Sequence, residues 1–180
     1  MTQEQIEISL QAKKLKLPIS DRFTHFLIVP FLAALPLTLI FLYLKDMMEG
    51  VQKDISSGEM ILILIFIFLA FLFYRIQSNR LKFREIETNL PRHKLDVAIE
   101  NVGKQLEWHL MQANNKCIIA KTRPSFFSGS WGEQITILFD NGKILANSIC
   151  DPNRGSSVVS MGRNKENIER LFEEIKKAGG

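Results

Sequence analysis

The chain has 180 residues, 46% of them hydrophobic, with 23 Lys and Arg against 19 Asp and Glu for a formal net charge of +4, and two cysteines. This length excludes a large multidomain assembly, and two cysteines exclude a disulfide-built scaffold. The small positive excess calls for no nucleic acid, because the basic residues gather beside apolar segments, where anionic headgroups account for them.

Residues 1–22 read as a cytosolic N-terminal tail. Ile6, Ile8 and Leu10 alternate with Glu7 and Ser9, and Leu15, Leu17 and Ile19 alternate with Lys16 and Pro18. A period of two suggests short extended segments. The centre, Lys13-Lys14-Leu15-Lys16-Leu17, equally suits a segment lying on an anionic leaflet, and a partly ordered tail stays open beside both.

Residues 23–44 form the first predicted transmembrane helix. Phe23 to Leu44 contains no Asp, Glu, Lys or Arg, and about 20 apolar residues suffice to cross a hydrocarbon core of about 30 Å. The run is too long for a signal peptide, and Tyr43-Leu44-Lys45-Asp46 offers no small-residue cleavage site. Pro30 and Pro36 are expected to kink it. His25, one turn inside the cytoplasmic end, reads as an interfacial residue, since no acidic residue or second histidine shares the membrane with it. Two helices do not enclose a pore.

Residues 45–59 are the external loop, and residues 60–76 the second transmembrane helix. Met60 to Tyr74 is apolar around its whole circumference, unlike a surface helix of a globular domain. At about 1.5 Å per residue that run reaches only about 22 Å, so it should extend back through Ser56, Ser57 and Gly58, with Glu59 and Arg75 snorkelling. Lys13, Lys14, Lys16 and Arg22 precede the first span, and Arg75, Arg80, Lys82, Arg84, Arg92 and Lys94 follow the second. The loop offers only Lys45 and Lys53. By the positive-inside bias, both termini are cytoplasmic in an integral plasma-membrane protein.

Residues 77–90 continue as a helical stalk, and residues 91–180 have the composition of a cytosolic α+β domain. Asn89 and Pro91 open a helix, whose buried stripe is Leu95, Ala98, Ile99, Val102 and Leu106. Strands follow around Trp108–Gln112 and Lys116–Thr122, joined by Asn114-Asn115. After an irregular stretch from Arg123 to Gly132, the strands Glu133–Phe139 and Lys143–Cys150 flank Asp140-Asn141-Gly142, a strong hairpin signal. Asn164–Ala178 closes as a helix with the stripe Ile168, Leu171, Phe172 and Ile175. The expected fold is a membrane α-helical hairpin plus a soluble α+β domain of order α-β-β-β-β-α, an antiparallel meander with two helices on one face. Residues 90–180 are expected to fold alone.

The run from Trp131 to Ser148, with Gly162-Arg163-Asn164-Lys165-Glu166-Asn167-Ile168, resembles the small cytosolic domain found beside membrane segments in an uncharacterised bacterial membrane protein family. The resemblance covers about half of the chain. It implies bacterial membrane placement and brings no activity and no ligand residues.

An inventory of chemistry points away from catalysis. No HExxH, P-loop, GxSxG or GxGxxG occurs, and Cys117 and Cys150 lack zinc-site spacing. Both read as small core residues. His93 falls at a helix start and His109 on a strand. No cofactor, metal or catalytic residue is expected. Two binding signals remain. Phe126, Phe127 and Trp131 lie in a loop of small residues, and would either cap the sheet or enter the membrane interface or a partner. Arg154, Arg163 and Lys165 stand beside the N-terminus of the closing helix, where anions such as headgroups are attracted; the plainer reading makes Asn164 an N-cap. The functional expectation is a non-enzymatic, membrane-tethered interaction or regulatory module whose partners are the bilayer, anionic headgroups or a membrane protein. The alternative is an accessory subunit of a larger transport or channel complex.

Overall fold

The residues around Asn141-Gly142 pair as the turn signal requires. In the computed structural model, which describes residues 1–51, 54–123, 131–155 and 160–179, β4 (Glu133–Asp140) and β5 (Lys143–Cys150) run antiparallel from Glu133 opposite Cys150 to Asp140 opposite Lys143. Gly142 supplies the φ of 78° at the turn. β3 (Cys117–Lys121) joins β4, and β2 (His109–Ala113) joins β3. Asn114 closes the β2–β3 turn by accepting hydrogen bonds from the amides of Lys116 and Cys117 at 2.9 and 2.7 Å.

The remaining edge strand comes from the expected stalk. β1 (Arg84–Glu87) pairs with β5, Arg84 opposite Ala146 and Glu87 opposite Lys143. Residues 77–90 are thus helical only as far as Arg80, and the described sheet has five strands in the order β1-β5-β4-β3-β2, all antiparallel. The α+β layout stands; the strand count rises from four to five. A strand wins here because Ile86 packs against the core while Arg84, Glu85 and Glu87 stay exposed, and β5 would otherwise be an open edge.

α5 (Arg92–Gln105) and α6 (Arg163–Gly179) cover one face of the sheet. Leu95, Ala98 and Ile99 of α5 and Ile168, Leu171, Phe172 and Ile175 of α6 pack on Ile118, Ile135, Ile137, Ile144 and Ala146. Leu106, expected in the α5 stripe, is only half-buried. Asn89 does not cap α5, whose N-cap is Pro91 with no side-chain hydrogen bond.

The opposite face is apolar too, and the leader, expected as a tail, helps to cover it. Cys117, Ile119, Leu138, Leu145 and Ile149 form a second core with Ile6, Leu15, Leu17, Leu81 and Phe83. Ile6 sits on α1 (Gln3–Ala12), a helix opened by a capping box in which the Gln5 amide donates to Thr2 Oγ1 at 3.2 Å and the Thr2 amide to Gln5 Oε1 at 2.9 Å. Lys13, at φ 50°, ends it. The following residues bond to the far side of the apolar hairpin: the Leu15 amide donates to the Leu81 carbonyl at 2.7 Å, and the Phe83 amide to the Lys13 carbonyl at 3.0 Å. Residues 1–22 are therefore not a tail, and the packed unit is wider than residues 91–180.

Two helices are long and apolar enough to cross a membrane, α3 (Ile28–Met48) and α4 (Ser57–Arg80). At about 1.5 Å per residue they reach roughly 31 and 36 Å. The first begins later than expected because Pro30 has no amide to bond the Phe26 carbonyl and its ring crowds that carbonyl. The helix breaks at Leu27, and Phe23–Phe26 belong to a separate short helix, α2 (Ile19–Phe26). Pro36 stays within α3. α4 starts early, as expected, at Ser57, with Ser56 as its N-cap: the Ser56 hydroxyl accepts from the Glu59 amide at 3.2 Å, and the Ser56 amide donates to Glu59 Oε2 at 2.9 Å.

Burying a Leu or Ile contributes roughly 1.5–3 kcal/mol, so the leader matters to the stability of the sheet. Leu15→Ala in the full-length protein should lower unfolding stability by about 2–5 kcal/mol. Leu110→Ala, at an exposed position, should change it by under about 0.5 kcal/mol. Equal midpoints for Leu15→Ala and the parent in denaturant titrations would contradict the leader's place in the core.

Candidate functional site at the hairpin end of the sheet

The chain leaves α4 at Arg80 and enters β1 at Arg84, which lies opposite Ala146 in β5. This places the Cys150 end of β5, the Glu133 end of β4 and the start of α6 at the end of the sheet nearest the hairpin. Asn147 of β5 fixes the connection, its Nδ2 donating to the carbonyls of Arg80 at 2.8 Å and Lys82 at 2.9 Å. The 3₁₀ turn Pro152–Arg154, directly after β5, packs beside α2.

The joint between hairpin and domain is polar and buried. Gln77, near the end of α4, donates from Nε2 to the His25 carbonyl at 2.6 Å, and His25 Nε2–H donates to the Gln77 carbonyl at 3.1 Å. Arg80 donates to Gln77 Oε1 at 3.2 Å, and Lys14 Nζ to Ser78 Oγ at 2.7 Å. Burial holds the His25 imidazole below its ordinary pKa; its bond to Gln77 opposes this in part, while Arg80 and Lys14 reinforce it. The neutral ring is favoured, with the proton on Nε2. His25 is thus a buried structural link between α2 and α4 and not the interfacial residue expected, because both its ring and its carbonyl are taken up by Gln77. No sequence signal sets Gln77 apart, since the last turns of α4 also hold Arg75, Ser78, Asn79 and Arg80.

The basic residues singled out from sequence are dispersed by the fold. Arg154 Nε lies 3.8 Å from Asp151 Oδ2, and Arg163 Nε lies 4.0 Å from Glu133 Oε2. Both carboxylates are buried. Lys121 Nζ approaches Asp151 Oδ1 at 2.7 Å, and the Thr122 hydroxyl donates to Glu133. Arg154 and Arg163 therefore share one end of the sheet, where their charge is engaged by these carboxylates. Lys165 stands apart, exposed on α6, 3.7 Å from Glu169. Trp131 is exposed at the head of β4; Phe126 and Phe127 lie outside the described residues. Asn164 is no N-cap: it lies within α6, its Oδ1 accepting from Ser148 Oγ at 3.0 Å. A row of hydrogen bonds continues from Ser148 through Asn167 to Trp108 Nε1 at 3.1 and 2.9 Å. These bonds pin α6 to the sheet.

Elsewhere, a cleft of about 580 Å³ opens between α5 and β2–β3, floored by Ile99, Ile118 and Ala120 and flanked by Trp108 and Leu110. Its rim charges pair along α5, Arg92 with Asp96 at 2.8 Å and Glu100 with Lys104 at 2.7 Å. His93 and His109 are exposed, and no three His, Cys, Asp or Glu among the described residues are grouped to hold a metal ion.

Cys117 and Cys150 are both buried. Burial pushes the Cys117 thiol up to about 11, with the N-terminal ammonium opposing the shift, so almost none is thiolate at neutral pH. Cys117 should therefore resist maleimide at pH 7 in the folded protein and react on unfolding. Rapid stoichiometric labelling of native protein, mapped to Cys117 by mass spectrometry, would contradict its place beneath α1.

No known protein family matches the sequence, and no curated protein matches it either.

Proposed function

We propose that the chain is a non-enzymatic interaction or regulatory module tethered to the plasma membrane of a bacterium by α3 and α4, with both termini in the cytoplasm. One observation carries this reading. Ile6, Leu15 and Leu17, before the hairpin, share the second core with Leu81, Phe83 and the strand residues from Cys117 to Ile149, after it, so the hairpin is an excursion out of one folded unit that must return to the side it left. The Lys/Arg excess on both flanks marks that side as cytoplasmic.

The exposure of the hairpin supports insertion. Only 6% of the apolar window of each helix is buried within the chain, while the sheet is covered on both faces. Soluble proteins seldom leave apolar patches of more than a few hundred Å² open to water. A bilayer covers such a belt. The tethered domain presents its hairpin end to the leaflet, with Trp131 and the exposed Arg154 as headgroup contacts beside Lys16, Arg22, Arg75 and Lys82. Arg154, Arg163 and Lys165 each have a carboxylate beside them, Asp151, Glu133 and Glu169, which weakens all three as contacts. The accessory-subunit reading draws on the same belt, with a larger membrane protein taking the place of lipid along part of α3 and α4.

The topology has a direct test, aided by the burial of both native cysteines. Ser57→Cys should react with an impermeant maleimide added to intact cells. Gln11→Cys and Gly179→Cys should stay protected until the membrane is permeabilised. Labelling of Gln11→Cys in intact cells would overturn the orientation. Purification in mild detergent then separates the two functional readings: a stoichiometric membrane partner supports the accessory subunit, and a lone chain the tethered module.

A further inference from the structure

Short surface helices bury their apolar side and expose their polar side. α2 does so only in part: Phe26 packs on the second core, but two of its large apolar residues face outward. Its histidine is buried against Gln77 of α4, whereas Ile19 is 90% and Phe23 65% exposed. Four residues on, the same ridge continues through Leu27, 39% exposed, across the break imposed by Pro30, to Phe31 of α3 at 72%. A spacing of four keeps residues on one side of a helix. The exposed apolar side chains of the hairpin thus continue past that break onto α2. Arg22 on α2, Lys16 just before it, and Arg75 and Lys82 in and just after the last turns of α4, to which α2 is bonded, are exposed cations, the complement of an anionic surface.

We propose that α2 is an interfacial anchor, its Ile19–Phe23–Leu27 ridge set into the acyl–headgroup boundary of the cytoplasmic leaflet. This rests on the reading of α3 and α4 as membrane spans. The occupant is lipid because the ridge leads on to the belt those spans present. The flanking charges are also those that phosphate-bearing headgroups attract. The anchor has a mechanical consequence. α2 packs beside the turn Pro152–Arg154 and is bonded to the end of α4, so fixing its depth also fixes the height of the sheet above the membrane. The domain is then held against the leaflet at α2 and at the end of α4.

The test uses the full-length protein reconstituted in vesicles of phosphatidylcholine and phosphatidylglycerol. Nitroxide labels are placed singly at Ile19→Cys and Phe23→Cys. Phe31→Cys and Phe68→Cys serve as references in the spans, and Gln11→Cys as a reference on the domain. Collision with oxygen should exceed collision with a water-soluble nickel chelate at Ile19 and Phe23, at a depth shallower than Phe31, with the reverse at Gln11. Aqueous behaviour at Ile19 and Phe23, with Phe31 and Phe68 still reading acyl-chain depth, would overturn the anchor and leave the spans intact. Aqueous behaviour at Phe31 and Phe68 as well would sink the spans. Low access to both reagents at Phe23 would show a protein partner there, and would also overturn the proposal.

Discussion

The second face of the sheet has to be covered, and the residues that cover it lie on both sides of the apolar hairpin. Ile6, Leu15 and Leu17 come before it; Leu81 and Phe83 come after. Everything else about the architecture follows from that division. Without the leader, Leu138, Leu145 and Ile149 would face water from the middle of the sheet, a loss of several buried side chains at roughly 1.5–3 kcal/mol each. A single core built from two chain segments also requires α3 and α4 to act as a pair. An odd number of crossings would place the leader and the sheet on opposite sides of a bilayer.

The same division shapes how the parts are joined. Met1 bonds to Gln112, 111 positions away, its ammonium donating to Oε1 at 2.6 Å. Closing so long a loop is costly in entropy, though the cost grows only logarithmically with length. The packing of α3 on α4 closes most of the span between Leu15 and Leu81, bringing together the segments joined by the Leu15–Leu81 and Lys13–Phe83 bonds. The joint beyond them is polar. Buried groups such as Gln77 and His25 are costly when unpaired; each has its partner in one relative placement of α2 and α4 and loses it in others. Such a joint specifies geometry more sharply than an apolar contact would.

The legible parts of the fold were those with a local signal. The Asn141-Gly142 turn, the stripe Ile168, Leu171, Phe172 and Ile175, and the early start of α4 at Ser57 were all carried by neighbouring residues. The leader was misjudged because Ile6, Ile8 and Leu10 alternate, while only Ile6 of these is fully buried; the signal that decides, Thr2-x-x-Gln5, is a helix cap. β1 was hidden because Arg84-Glu85-Ile86-Glu87 is charged and continues a helix-like run. It becomes a strand only because β5 has an edge to fill. The candidate site was legible as residue types and not as an arrangement. Arg154 and Arg163 do share one end of the sheet; Asp151 lies only three residues before Arg154, whereas Glu133, beside Arg163, comes from the start of β4, thirty positions earlier, and no local pattern announces it as a counter-ion.

The central claim is that the leader and the sheet are one cooperative unit joined across the hairpin. Hydrogen exchange of the reconstituted full-length protein, read peptide by peptide, tests it most directly. If the claim holds, the helical amides of α1 exchange as slowly as those of β4 and β5, and Leu138→Ala accelerates all three together, since a shared core opens as one unit. Exchange of α1 at the rate of an unstructured peptide, with β4 and β5 still protected, would contradict it.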